Sequence, residues 1–128
     1  MPDTARAEKF SQALHKLEQS GDAEELVAQF APDAELRRPE LDRAQGPTAD
    51  AEKFWRSYQE QFSEISTDFT DIAEADDLAV LEWTSRATLA AGRPIEYAGV
   101  SLLRFGEDDR VTRFSTYYDT AAFVTPAS

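Results

Sequence analysis

Three charged side chains are spaced so that they could handle a proton and the anion it leaves behind. Glu82 and Arg86 lie four residues apart in one β-rich run, and Arg38 lies in a shorter one. At strand rise, Glu82 and Arg86 sit about 13 Å apart on one face, too far to bond unless their side chains lean together. Facing a cavity, Glu82 would be a general base and Arg86 would stabilise a developing anion. Facing water, the two are a solvated face or a structural ion pair. Arg38 offers a guanidinium suited to a carboxylate or enolate oxygen. Its alternative is a surface strand, Arg37-Arg38, pairing with acids such as Glu35 and Glu40. Trp55, Tyr58, Tyr97 and Tyr118 suit a planar or alicyclic ligand, or else core packing. His15 is the lone histidine, a residue type suited to proton exchange near neutrality. It lies beside the apolar stripe of its helix, which favours an exposed position. Asp119 reads as a turn or cap, and Asp76-Asp77 and Glu107-Asp108-Asp109 as exposed turns.

Composition removes several classes of chemistry. With no cysteine, disulfides, thiol catalysis and cysteine–metal sites are excluded. One histidine cannot build a multi-histidine metal site within one chain. No metal or organic cofactor is therefore expected, a dense carboxylate site for a hard cation being the one loophole. A net charge of -12 argues against nucleic acid and anionic membrane as partners. No apolar run approaches the ~20 residues of a membrane-spanning helix, and the first residues lack signal-peptide character. These features fit a soluble cytoplasmic protein. At 128 residues, 41% hydrophobic and 30% charged, the chain reads as a single domain, 1–128, with an ordinary core.

The elements that must position these residues follow from periodicity. A helix from about Thr4 to Gln19 carries Phe10, Ala13, Leu14 and Leu17 on one stripe. A short helix opens at Asp22 and stops at Pro32-Asp33. A strand over Ala34 to Arg38 ends at Pro39, and a loop runs to Gly46-Pro47. A third helix spans about Thr48 to Phe62 and presents Ala51, Phe54, Trp55, Tyr58 and Phe62. Four longer strands follow: Glu64 to Ala75, Leu78 to Leu89, Ile95 to Phe105 and Arg110 to Asp119. In the second of these, Leu81, Trp83, Ala87 and Leu89 share one face, and Glu82, Thr84, Arg86 and Thr88 the other. The tail Thr125-Pro126-Ala127-Ser128 is expected to fray. The order predicts an α+β fold: a cone-shaped curved antiparallel sheet covered by three N-terminal helices, with an internal pocket.

Phe30-Ala31-Pro32-Asp33-Ala34, Gly46-Pro47 and the block from Gly99-Val100-Ser101-Leu102-Leu103-Arg104-Phe105 through Arg110-Val111 to Tyr117-Tyr118-Asp119 carry a resemblance. The chain resembles the nuclear transport factor 2-like superfamily and, within it, the SnoaL-like (polyketide-cyclase-like) proteins. The likeness spans nearly the whole chain and specifies fold better than function. The places that carry the ketosteroid isomerase residues fall on Leu14, Arg38 and Ser101. Those of the limonene-epoxide-hydrolase-like members fall on Glu82, Thr84 and Thr116. None matches, so neither chemistry is inherited. The resemblance implies that Arg38, Glu82, Thr84, Arg86, Tyr97, Gly99, Ser101, Phe114, Thr116 and Tyr118 point inward, with Trp83, Ser85 and Tyr117 outside on a dimer face.

The expectation is a small-molecule pocket protein of SnoaL-like type. If an enzyme, it performs cofactor-free acid–base chemistry (isomerase, cyclase or hydrolase) on a small hydrophobic carbonyl-type metabolite. Arg38, Glu82 and Arg86 would be catalytic; Trp55, Tyr58, Tyr97, Ser101, Phe114, Thr116 and Tyr118 would hold the ligand. The alternative is a non-catalytic ligand-binding or dimerisation module. Either form is expected to be a homodimer.

Overall fold

The first helix, α1 (Ala5–Ser20), forms because Ala7, Phe10, Ala13, Leu14 and Leu17 recur every three or four residues and make one buried stripe. It stops at Gly21, whose φ of 78° is the left-handed conformation glycine adopts without strain, and whose amide closes on Leu17 O at 2.8 Å. The structure is a computed structural model and describes residues 4–38 and 48–123. The expected Pro39 stop, the Gly46-Pro47 loop and the tail lie outside the described residues. A short helix, α2 (Glu24–Ala28), buries Leu26.

The chain enters β1 (Phe30–Arg37) ahead of Pro32 rather than after it. Proline is tolerated there because β1 is an edge strand and its pairing is interrupted between Phe30 and Glu35. The third helix, α3 (Ala51–Gln61), starts under Asp50, whose Oδ1 accepts from Lys53 N at 3.0 Å. It buries Phe54 and Trp55. Then come β2 (Phe62–Ala75), β3 (Leu78–Leu89), β4 (Pro94–Phe105), β5 (Val111–Tyr118) and a 3-10 turn, Thr120–Phe123. Asp119 caps that turn by accepting from Ala121 N at 2.9 Å.

The strands lie in the order β1-β5-β4-β3-β2. Pairing is antiparallel except at one edge, where β1 runs parallel to β5. The sheet is therefore mixed rather than wholly antiparallel. A parallel neighbour needs a long crossover, which α3 and the three intervening strands supply. The sheet is curved and unclosed, with the helices on its inner face. Phe10, Trp55, Leu81, Leu103 and Phe114 belong to the main core, and Phe62, Trp83, Ala87, Ile95 and Tyr97 to a second.

One strand overturns its expected orientation. Along β3, Ala79, Leu81, Trp83, Ser85 and Ala87 are buried, whereas Glu82, Thr84 and Arg86 are exposed. The apolar face of the alternation turns inward because burying it removes the most hydrocarbon from water. Trp83 and Ser85 are inside, and of the expected outer trio only Tyr117 is exposed.

The N-terminal end of α1 is clasped to β2. Glu74, nearly buried, accepts from Arg6 Nε at 2.6 Å and from Ala7 N at 3.0 Å. Arg6 also reaches Asp109 Oδ1 at 3.0 Å and lies 4.1 Å over the Phe105 ring.

Candidate functional site: an aromatic cavity with two hydroxyl strips

Between the helices and the inner sheet face lies a narrow cavity of about 40 Å³. That is room for a few waters at most. Its walls are Phe10 and Leu14 of α1, Phe54, Trp55, Tyr58 and Gln61 of α3, and Thr67, Phe69, Trp83, Ser85, Tyr97, Ser101, Phe114, Thr116 and Tyr118 of the sheet, with Arg38 beyond the end of β1. The rings pack edge-on or tilted, as in Trp83–Tyr97 (5.4 Å, 90°) and Tyr97–Tyr118 (5.5 Å, 61°).

Two polar strips interrupt this lining. In the first, Trp83 Nε1 donates to Ser101 Oγ at 3.0 Å, and Ser101 bonds Thr116 Oγ1 at 2.9 Å. Gly99, opposite Trp83 in the register, makes room for the indole: a Cβ there would come 2.6 Å from Trp83 Cζ2 and collide with Tyr117 O.

The second strip joins α1, β2, β3 and α3. Glu18 Oε2 accepts from Thr67 Oγ1 at 2.6 Å and from Tyr58 OH at 2.7 Å, and Glu18 Oε1 accepts from Thr67 N at 2.9 Å. Thr67 Oγ1 also bonds Ser85 Oγ at 2.7 Å, its partner in the register. His15, one helical turn before Glu18, bonds Thr67 O through Nε2 at 2.8 Å. A carbonyl only accepts, so that nitrogen carries a hydrogen. Burial raises the Glu18 carboxyl above its ordinary range, against the opposing hydrogen bonds from Thr67 and Tyr58. Burial first, and the Glu18 charge second, raise the Tyr58 phenol well above its own, so it stays protonated.

Of the expected catalytic residues, Arg38 alone lines the cavity, where Nη1 donates to Gln61 Oε1 at 3.3 Å and the guanidinium lies 5.4 Å from the Phe54 ring. Arg37 separates from it and pairs with Glu35 at 2.6 Å. Glu82 and Arg86 are corrected: both project from the outer face, Glu82 beside Thr70 and Arg86 3.3 Å from Glu96 with most of its side chain in solvent. The expected ligand residues Trp55, Tyr58, Tyr97, Ser101, Phe114, Thr116 and Tyr118 all stand in the cavity wall. His15 is corrected too, since it is half-buried, bonded to β2 and packed against Phe69.

Glu18, Thr67 and Ser85 were missed. The signals available were weak: Glu18 is four residues after Leu14 on the buried stripe, and an acid in the last turn of a helix opposes the dipole. Among the described residues no group of acids and histidine is placed to hold a metal ion, and no helix is long and apolar enough to cross a membrane.

A curved sheet with helices packed on its inner face is the cone fold of the nuclear transport factor 2-like proteins. The SnoaL-like domain model matches residues 8–114, and the chain belongs to that family. Solved structures share the fold. An NTF2-like protein from Anabaena variabilis superposes with a TM-score of 0.80 at 13% identity, covering 92% of this chain and 90% of that one. AclR from Streptomyces galilaeus, proposed to be a hydroxylase, gives 0.72 at 16% identity, covering 94% and 90%. A proposed isomerase from Rhodopseudomonas palustris gives 0.75 at 21%, covering 91% of each chain. No curated protein matches the chain.

Proposed function

We propose that the protein takes a small, hydrophobic, carbonyl- or enol-type molecule into the aromatic cavity and performs cofactor-free acid–base chemistry on it. The observation that carries this reading is the pair of hydrogen-bonded hydroxyl strips set into an otherwise aromatic wall, one of them backed by the half-buried Glu18 carboxylate. Polar groups placed sparsely in an apolar cavity fix a ligand's orientation. Trp55 supports it further: its Nε1 is buried, has no hydrogen-bond partner among the described residues, and belongs to a cavity-lining side chain. An unpaired buried donor costs roughly 1–3 kcal/mol, which a ligand acceptor or a water would recover. Arg38 would hold the anionic form of such a ligand. The proposed isomerase and hydroxylase among the structural neighbours share the fold at low identity, which fits this reading without specifying the reaction.

A second reading has its own support. The narrow free volume means the aromatics nearly fill their own cavity, as in a non-catalytic binding or dimerisation module. Calorimetry with small cyclic ketones, enols and phenols separates a ligand-taking cavity from a self-filled one, and turnover of a bound ligand separates an enzyme from a binding module. The enzyme reading expects saturable binding, with Arg38→Met weakening anionic ligands about tenfold, or 1.4 kcal/mol. No saturable binding anywhere in the panel would favour the module. Activity should survive a chelator; loss restored by added metal would contradict the cofactor-free chemistry.

Assembly belongs to the same proposal. The outer sheet face carries half-buried Val80, Val100 and Leu102 beside Tyr117, which is 47% exposed. We place a homodimer contact there, in a cytoplasmic setting, and sedimentation should show a dimer at micromolar concentration.

A further inference from the structure

We propose that Glu18 is the proton acceptor of the cavity, reached through Ser85 and Thr67, so that a bound enol or phenol gives up its O–H proton to a carboxylate it never touches. The proposal deepens the ligand-site reading above and rests on it.

The direction of the hydrogens makes the argument. A carboxylate only accepts, so the single Thr67 hydroxyl hydrogen is committed to Glu18 Oε2 at 2.6 Å. Thr67 Oγ1 must then accept from Ser85 Oγ at 2.7 Å, which commits the single Ser85 hydrogen in turn. Ser85 lines the cavity with lone pairs alone. The ligand group it suits there is a donor, and an O–H completes the chain.

Transfer balances along this wire. The ligand O–H bond breaks as a bond forms to Ser85 Oγ. The Ser85 hydrogen passes to Thr67 Oγ1, and the Thr67 hydrogen to Glu18 Oε2. Both hydroxyls end reversed, Glu18 is neutral, and one negative charge rests on the ligand oxygen. Arg38 lines the same cavity and opposes that charge. The reverse sequence returns the proton to a carbonyl-derived enolate oxygen.

The surroundings of Glu18 suit a carboxylate that must change charge. Among the described residues it makes no ion pair; its partners are the Thr67 amide and hydroxyl and the Tyr58 phenol. The titratable groups that act on it are His15 on α1 and Tyr58 on α3, the latter beside Tyr97 on β4, and Glu64, Arg86 and Glu96 share its outer groove. Glu18 also borders an outer groove, so the proton it accepts can leave to water.

The test uses 4-nitrophenol, whose phenolate absorbs visible light and whose phenol does not, below the pH range in which the free probe ionises. Calorimetry reads binding and absorbance reads ionisation. The wild type is expected to bind the probe as phenolate. Glu18→Gln, Thr67→Val and Ser85→Ala should still bind it, with the phenolate fraction down about tenfold or more, one unit of acidity. Exposed Glu64→Gln should match the wild type. Circular dichroism checks each fold, and Glu18→Gln and Ser85→Ala carry the test if Thr67→Val fails to fold. Equal ionisation in Glu18→Gln would overturn the proposal. So would ionisation that survives in Ser85→Ala and disappears in Tyr58→Phe, which would reassign the route. Binding to the wild type without ionisation overturns the wire alone; no binding at all removes the ligand-site reading with it.

Discussion

Glu74 and Glu18 stand at opposite ends of the seam between α1 and β2, and each holds the backbone of the other element. Glu74 on β2 accepts the Ala7 amide of α1, and Glu18 on α1 accepts the Thr67 amide of β2. They differ in what completes the site. Glu74 has the Arg6 guanidinium at 2.6 Å, so its charge is matched and the group acts as a clasp. Glu18 has two neutral hydroxyl donors, which satisfy its lone pairs and leave its charge uncompensated. The Glu74 charge faces a cation, whereas the Glu18 charge faces neutral donors, and burial raises its carboxyl. The same helix is thus anchored at one end by an ion pair and at the other by a network of neutral donors.

The largest expected effect comes from breaking the clasp. Arg6→Met should destabilise the fold by about 3 kcal/mol, the lower end of the range for a broken buried pair, because a quarter of the Arg6 side chain is exposed. Chemical denaturation measures it, and a loss below ~1 kcal/mol would erase the distinction between the two ends. Glu74→Gln should cost less, about 1–2 kcal/mol, because the amide still accepts the Ala7 hydrogen and Arg6 keeps its contact with Asp109.

Glu18→Gln should change stability at neutral pH by less than ~1 kcal/mol, but should change its pH dependence. Native Glu18 holds its proton more tightly than the unfolded chain does. Its contribution to stability is therefore full below the ordinary glutamate value of 4.5 and is lost as pH rises through its higher native value. Stability curves of the wild type should fall across that window relative to Glu18→Gln; parallel curves would mean that Glu18 is no more perturbed than an exposed acid. Smallest of all, Glu82→Gln and Arg86→Ala should each shift stability by under ~0.5 kcal/mol and leave ligand binding intact, since both project into solvent. A large effect of either on binding would return the outer face to consideration.

The helices, the strands and the hairpin turns were legible because each has a period or a turn residue behind it. Phe10, Leu14 and Leu17 mark α1, and Asp76 and Asp109 take the positive φ angles that their turns require. On β3 the alternation separated Leu81, Trp83 and Ala87 from Glu82, Thr84 and Arg86 but did not say which set faced inward. The family likeness put the charged set inside, and a period of two turns any one-residue misalignment into an exchange of faces. The parallel pairing of β1 with β5 is a contact between distant segments that no local pattern announces. Arg38, Tyr97, Phe114 and Tyr118 were placed in the cavity by the family likeness, and Trp55 and Tyr58 by their aromatic type. Glu18 was hidden because its surroundings are assembled from β2 and α3, and a glutamate near a helix end otherwise reads as solvated.

The most direct measurement is the titration of the Glu18 carboxyl carbon by NMR in protein labelled at glutamate, assigned by the signal that Glu18→Gln removes. The account predicts that this carboxyl titrates above the exposed glutamates of the same chain, and that Thr67→Val, which deletes one of its donors, moves it higher still. A Glu18 signal that titrates with the exposed glutamates, or below them, would contradict it.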